Sequence, residues 1–200
     1  MMGKTHFVIG VAAALAVTRP TTPQGCVAAV VGGAMGGVLS DLDLKHRREI
    51  QDALVARLLA LGLVILALLI DFSLQDGLTE QLRRRDRLTL TAGLLLFALL
   101  CLFGMTQQHR GFLHSLAALA LLSLAVWMFS PPLLRPFAAG FGSHLVIDLP
   151  NKRPLRLFWP LRRGVCLHLT PVDGPADHAL LLFGLSATAV YLAYAVVGMG

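Results

Sequence analysis

The chain has 200 residues, of which 56% are hydrophobic and only 14% are charged, and its formal net charge is +6. Soluble domains carry about 25% charged residues, so this composition excludes a water-soluble globular protein and predicts one integral membrane domain over residues 1–200. With no basic tail, the positive charge indicates membrane topology and contact with anionic lipids, and it argues against nucleic acid as a direct ligand.

Seven apolar runs, separated by breaks rich in proline, glycine or charge, predict an all-α, polytopic membrane bundle of about seven helices. In chain order the runs cover residues 5–17, 26–39, 53–70, 88–105, 112–129, 136–149 and 178–198. A full span needs about 20 residues, which the third, fourth, fifth and seventh runs approach. The other three are shorter and rich in small residues, so we expect partly inserted or buried, closely packed helices. The first run is interpreted as a retained helix rather than a cleaved signal peptide.

Histidines and aspartates, which suit a metal ion, lie at or near the starts of odd-numbered runs and the ends of even-numbered runs. If successive helices alternate in direction, as short connections favour, then the starts of odd runs and the ends of even runs share one membrane face. That face receives His6, Asp41, Asp43, His109, His114, His144, Asp148, Asp173, Asp177 and His178. Imidazole and carboxylate groups together suit zinc and related ions, and ionisable groups at membrane depth are usually functional. The pattern predicts a polar metal site at this face.

The spacings of these residues agree with coordination of a common metal ion, although each residue can also be explained by a structural role. His144 and Asp148 are four residues apart, so on a helix they point the same way; alternatively, they form a hydrogen bond between helices. His109 and His114 stand at a loop-to-helix junction or in a simple polar loop. His6, Asp41 and Asp43 would alternatively be polar residues at helix ends. His46 would lie in a solvated loop, and His168 and His178 would be histidines that bind no metal. Acids on the opposite face are interpreted as partners of nearby arginines: Asp71, Asp76, Glu80 and Asp86.

Several segments resemble the YdjM-like family of bacterial membrane-bound metal-dependent hydrolases, over about residues 3–180. They are GKTH, LSDLD, HRGFLHS, GFGSHLVIDL and LFWPLRR, and HRGFLHS is the most specific, since the family pattern is HRGxTHS. By its motifs the family is grouped with zinc-dependent phospholipases C and single-strand nucleases, which hydrolyse phosphate esters with clustered metals. The resemblance implies the ligands His6, Asp41, His109, His114, His144 and Asp148, with Asp177 in place of an acid that members often carry before the last helix. Leu113 replaces the threonine of the pattern, and LSDLDL lacks the proline and final histidine of LPDxDH.

The predicted function is a metal-dependent hydrolase that cleaves a phosphoester at the membrane surface. The expected cofactor is a divalent metal, zinc first with manganese or magnesium as alternatives, in two or more ions that would activate a bound water molecule. Arg110 is expected to contact the phosphate, and Asp43 to act as general base. Lys152, Arg153 and Trp159 would bind a lipid headgroup. Alternatively, Arg110 is an arginine that extends to the membrane interface, and the basic segment around Lys152 and Arg153 only sets the membrane topology.

The composition and the resemblance place the protein in the bacterial cytoplasmic membrane as a multi-pass protein. Ten lysines and arginines fall on the predicted site face and six on the other, an excess that predicts a cytoplasmic site. The substrate is expected to be a membrane lipid or a lipid-linked phosphate, and the oligomeric state stays open. Two other functions stay open as well: a metal or proton transporter, since intramembrane histidine and aspartate serve ion pathways, and a non-catalytic membrane scaffold with a structural metal.

Overall fold

The computed structural model describes residues 2–43, 47–74, 77–169, 171 and 174–199. Within them the chain forms α1 (Gly3–Thr18), α2 (Pro23–Leu39), α3 (Arg47–Phe72), α4 (Leu78–Arg84), α5 (Arg87–Thr106), α6 (Leu116–Phe129), α7 (Leu134–Asp148) and α8 (Pro175–Met199). The all-α prediction is confirmed. The short helix α4 occupies a segment that the sequence predicts as a break. His46, Asp76 and Asp173, to which the sequence assigns roles, lie outside the described residues.

Three stretches of the described chain are long and apolar enough to cross a membrane. They are Pro23–Asp43, Arg87–Thr106 and Pro175–Ala195. In the most apolar 18-residue window of the first stretch 72% of the residues are buried within the protein, against 11% in each of the other two. Helix α2 is therefore central to the bundle, and α5 and α8 are peripheral helices whose apolar side chains face outward.

Several helices differ in length from the sequence expectation, and α3 is the longest example, since it covers Arg47–Phe72 where the sequence predicts 53–70. The second run is longer than predicted, because α2 starts at Pro23, where the Thr22 side chain accepts a hydrogen bond from the Gly25 N–H, and a 3-10 turn continues it to Asp43. The fifth run forms a shorter helix than predicted. Its first residues make a 3-10 turn, and the Ser115 hydroxyl then caps α6 by accepting a hydrogen bond from the Ala118 N–H at 3.1 Å.

Glycines allow α2 to pack tightly between α1 and α7. A Cβ atom at Gly33 would lie 2.7 Å from the Ala14 Cβ on α1. A Cβ at Gly32, on another face of α2, would lie 2.7 Å from the Pro136 Cβ on α7. Close backbone approach through small residues is a common way for membrane helices to associate. It brings the start of α1 and the ends of α2 and α7 together at one end of the bundle, and we call these three helices the glycine core.

The acids at the opposite end of the bundle have roles that the sequence predicts only in part. Glu80 does pair with Arg83 and Arg84, at 3.0 and 2.9 Å. Asp86 caps α5 by accepting a hydrogen bond from the Thr89 N–H, and it also interacts electrostatically with the neighbouring Arg85. The buried Asp71 carboxylate accepts hydrogen bonds from the main-chain N–H groups of Leu78 and Thr79 and from the Thr79 hydroxyl. Asp71 therefore caps α4, and the prediction of an arginine partner for it is wrong.

We expect Asp71→Ala to lower the thermal stability more than Asp86→Ala does. The first change leaves buried donors unpaired, a loss of about 1–3 kcal/mol, whereas an exposed helix cap contributes typically about 1 kcal/mol. Unfolding followed by circular dichroism in detergent micelles measures both variants against the unmodified protein. Equal shifts in melting temperature would contradict the buried capping role.

Candidate metal centre

Seven histidine and aspartate side chains meet at the end of the glycine core. They come from the start of α1, the turn after α2, the segment before α6 and the end of α7. They form three overlapping groups whose ligand atoms lie within 4.8 Å of one another: His6, His144 and Asp148; Asp41, His114 and His144; Asp43, His109 and His114. All are buried except His109, whose side chain is 21% exposed. Because His114 and His144 each belong to two groups, the three groups form one continuous cluster.

The first group joins α1 to α7. The ring of His6 stacks on the ring of His144 with their centroids 3.7 Å apart, and His6 Nε2 lies 3.2 Å from Asp148 Oδ1. Asn151 also donates a hydrogen bond to Asp148 Oδ1, at 2.6 Å. The Nδ1 atom of His6 is buried and has no hydrogen-bond partner among the described residues. Two imidazoles and a carboxylate are thus held in contact with one another away from water.

The second group places two imidazole nitrogens face to face. His144 Nδ1 lies 2.9 Å from the main-chain oxygen of Gly37, so this nitrogen carries the proton and Nε2 keeps its lone pair. His144 Nε2 lies 3.3 Å from His114 Nε2, and each of them is within 3.8 Å of Asp41 Oδ1. A proton or a metal ion between these atoms would remove the repulsion of the lone pairs. The donor set therefore fits a bound cation.

The third group is organised by the buried carboxylate of Asp43. Its Oδ1 lies 2.7 Å from His109 Nδ1, and its Oδ2 lies 3.5 Å from His114 Nδ1. Burial lowers the pKa of His114, but the carboxylates of Asp43, Asp148 and Asp41 outweigh that effect and raise the pKa above its ordinary value. The cluster thus favours a positive charge at its centre, which either a proton or a metal ion would supply.

These observations agree with a metal site made of nitrogen and oxygen ligands. Histidine nitrogens and aspartate oxygens are the ligands that zinc and related divalent ions take in proteins. The Nδ1 atom of His6 is buried without a hydrogen-bond partner in the described part of the chain, and Asp43 Oδ2 and His114 Nδ1 face each other at 3.5 Å without hydrogen-bond geometry. Buried polar atoms of this kind are normally satisfied, so the cluster could hold a metal ion.

Arg110 connects the cluster to the loop after α7. Its Nη2 lies 3.1 Å from Asp148 Oδ2, and its Nη1 donates a hydrogen bond to the main-chain oxygen of Arg153 at 2.6 Å. Its own main-chain oxygen accepts a hydrogen bond from the Arg156 N–H at 3.1 Å. The residue that the sequence predicts as a phosphate contact is therefore placed against a predicted metal ligand.

The other predicted substrate-binding residues lie on this loop. Lys152 and Arg153 are exposed. Trp159 is half-buried and packs edge-on against Phe112 and Phe103, with ring centroids 5.1 and 6.0 Å away. The structure thus places the two cations at the surface near the cluster, while the tryptophan anchors the loop to the helices.

Asp177 lies at the same end of the bundle but in a different setting. Its buried Oδ1 accepts a hydrogen bond of 2.9 Å from the N–H of Met2, which precedes α1. A carboxylate at a helix start is stabilised by the helix dipole. Of the three groups found in the described chain, none includes Asp177. Its contact holds the start of α1, and with it His6, against α8.

Two side chains at the cluster were missed by the sequence analysis. Arg57 Nη2 donates a hydrogen bond to the main-chain oxygen of Asp41, and Asn151 holds Asp148 as described above. A single arginine inside a long apolar run is a signal of function, because such a charge is costly in a membrane. Asn151 sits in a polar loop and carries no comparable signal.

Comparison with known proteins gives one result. The family described as YdjM inner membrane protein matches residues 1–199. No curated protein and no solved structure matches the chain.

Proposed function

Since the chain belongs to the YdjM inner membrane protein family, we propose that it is a membrane-embedded, metal-dependent hydrolase that cleaves a phosphoester. The family description gives an inner-membrane location and no reaction. The observation that carries the proposal is the continuous, buried cluster of four histidines and three aspartates at one end of the bundle. A structural zinc site normally has four ligands and often sulfur, so a cluster of seven nitrogen and oxygen donors is better suited to catalysis.

The proposed cofactor is a divalent metal, zinc in the first place, in two or more ions. The three overlapping groups would supply the ligands, with His114 and His144 shared between neighbouring groups. When bound, the metal would supply Lewis acidity, which lowers the pKa of a water molecule and neutralises charge on phosphoryl oxygens. The main-chain oxygen of Gly37 fixes the tautomer of His144, as outer partners of ligating histidines commonly do.

The roles of Asp43 and Arg110 follow from their contacts. Because both oxygens of Asp43 face imidazoles, we assign it to orienting His109 and His114 rather than to acting as a free general base. His109 is the most exposed member of the cluster, so we place the access of water and substrate to the metal on its side. Arg110 holds Asp148 and is a cation in direct contact with the cluster, available to an anionic phosphate.

The proposed partner of the loop after α7 is the anionic membrane surface. Lys152 and Arg153 are exposed there, and the large apolar side chains of Phe158 and Leu161 are exposed beside them. Cations next to apolar side chains are typical of segments that contact lipid headgroups. Together with the excess of lysine and arginine on this side, the loop favours a cytoplasmic position for the cluster.

The test is metal analysis of the purified protein, followed by hydrolysis assays before and after treatment with a chelator. We expect a divalent metal well above trace level, loss of hydrolysis of p-nitrophenyl phosphate and phosphatidic acid on chelation, and recovery on adding zinc or manganese. Protein without bound metal would contradict the proposal. Bound metal without hydrolysis, but with ion flux in liposomes, would replace it with a transporter.

A further inference from the structure

An apolar cleft runs along the outside of the glycine core, between α3 and α8. Its main part is a cavity of about 610 Å³ with α1 as its floor. A second apolar cavity of about 310 Å³ continues it over α2, and the two share Leu63, Leu66 and Leu192. Among the side chains that line the main part, only that of Thr188 is polar. We call these two joined cavities the tail cleft.

One end of the tail cleft lies at the same level of α1 and α3 as residues of the candidate metal centre. Phe7 lines it on α1, next in the chain to His6 of the cluster. Leu58 lines it on α3, next in the chain to Arg57, which donates a hydrogen bond to the main-chain oxygen of Asp41. Two of the helices that border the cleft therefore lead from the cluster directly into apolar surface. Arg57 adds a cation at this junction, and its buried Nε has no hydrogen-bond partner in the described chain.

We propose that the tail cleft binds one hydrocarbon chain of an anionic lipid whose headgroup enters the metal centre. This inference rests on the proposed function, and it identifies the substrate class as a lipid phosphate. The apolar lining suits a hydrocarbon chain. The cations Arg57, next in the chain to the lining residue Leu58, and Arg110, which contacts Asp148 of the cluster, suit an anionic group. The cleft opens between helices with apolar outer faces, so a lipid can enter it sideways from the bilayer.

The size of the cleft favours a single lipid chain over a partner helix. Its main cavity lies within the range of about 300–1,000 Å³ that is typical of small-molecule sites. A helix with its side chains is about 10–12 Å wide and would need far more space.

Gly62 keeps the cleft open. It lines the main cavity, and a Cβ atom there would meet nothing within 4 Å in the described part of the chain. A large side chain at this position would fill the cleft without displacing the α3 backbone. Leu61, its neighbour on α3, is 55% exposed and does not line the cavity. Gly62→Trp and Leu61→Trp are therefore a matched pair, in which only the first blocks the cleft.

The binding test uses phosphatidic acid with a diazirine near the end of one acyl chain, photolysed with the purified protein in mixed micelles and mapped by mass spectrometry. We expect labels to concentrate on cleft residues of α1, α3 and α8. Each methylene group lost from apolar contact weakens binding about fourfold. Gly62→Trp should therefore lower this labelling by roughly tenfold or more, whereas Leu61→Trp should retain it. Labelling of the unmodified protein spread evenly over the outer faces of α5 and α8 would overturn the proposal, and this result requires no variant.

Hydrolysis assays separate this inference from the proposed function. For Gly62→Trp, the ratio of phosphatidic acid hydrolysis to p-nitrophenyl phosphate hydrolysis should fall by roughly tenfold, and for Leu61→Trp it should not change. An unchanged ratio and unchanged labelling in Gly62→Trp would overturn the tail cleft while the hydrolase proposal stands. Labelling confined to the cleft in a protein that hydrolyses neither compound would support lipid binding and overturn the proposed function.

Discussion

Replacement of His144 by alanine is expected to remove most of the bound metal and nearly all of the hydrolytic activity. His144 belongs to two of the three ligand groups, so its loss leaves each of them with only two side chains. Loss of an outer partner of a ligand typically lowers metal affinity or activity about 10–100-fold, so the loss of a shared ligand should exceed that range. Metal analysis and hydrolysis of p-nitrophenyl phosphate measure the two effects.

The matched control is His168→Ala. His168 is an exposed histidine in the loop after α7, and it belongs to none of the three groups found in the described chain. It should keep the metal content and the activity of the unmodified protein. Both variants should be recovered from the membrane with normal helix content. Full metal content in His144→Ala would show that the cluster is not the metal site.

Gly37→Val is expected to destroy the cluster without removing any ligand. A Cβ atom at Gly37 would lie 2.6 Å from the main-chain oxygen of His6 and 3.3 Å from the Gly10 Cα. The backbones of α1 and α2 must then move apart, and His6 moves away from His144 and Asp148. Overpacking of a well-packed interior typically loses about 1–3 kcal/mol of stability. We therefore expect a lower melting temperature together with loss of metal.

Gly142→Val is the control for this prediction. Gly142 lies on α7, two residues before His144, yet a Cβ there would meet nothing within 4 Å among the residues that the structure describes. The same change of side chain is thus tested where no backbone has to move. Gly142→Val should retain metal, and normal metal binding by Gly37→Val would contradict the proposed close approach of α1 and α2.

The common location of the predicted ligands follows from the sequence for a simple physical reason. Alternating helices place the starts of odd runs and the ends of even runs on the same side of a membrane. His6, His114 and His144 stand at such positions, and the structure brings them within contact of one another. The small residues that allow this approach are visible in the sequence as well.

Other features depend on tertiary contacts that a pattern of residue types does not contain. The apolar residues of HRGFLHS suit a helix and a 3-10 turn equally well, so the start of α6 was placed too early. The partner of Arg57 is a main-chain oxygen, which no sequence motif marks. The hydrogen bond between the Met2 N–H and Asp177 depends on the position of α1 beside α8, which the sequence does not specify.

The origin of the ligands has a consequence for the biogenesis of the protein. The first group combines His6 of α1 with His144 and Asp148 of α7, so it requires the earliest and nearly the latest helix to be synthesised. His6 enters the bilayer long before its partners exist, and the intervening helices must be inserted before α7 docks. Contacts between distant parts of a chain form late in folding. The first group can therefore form only after α7 has docked against α1, late in the assembly of the bundle.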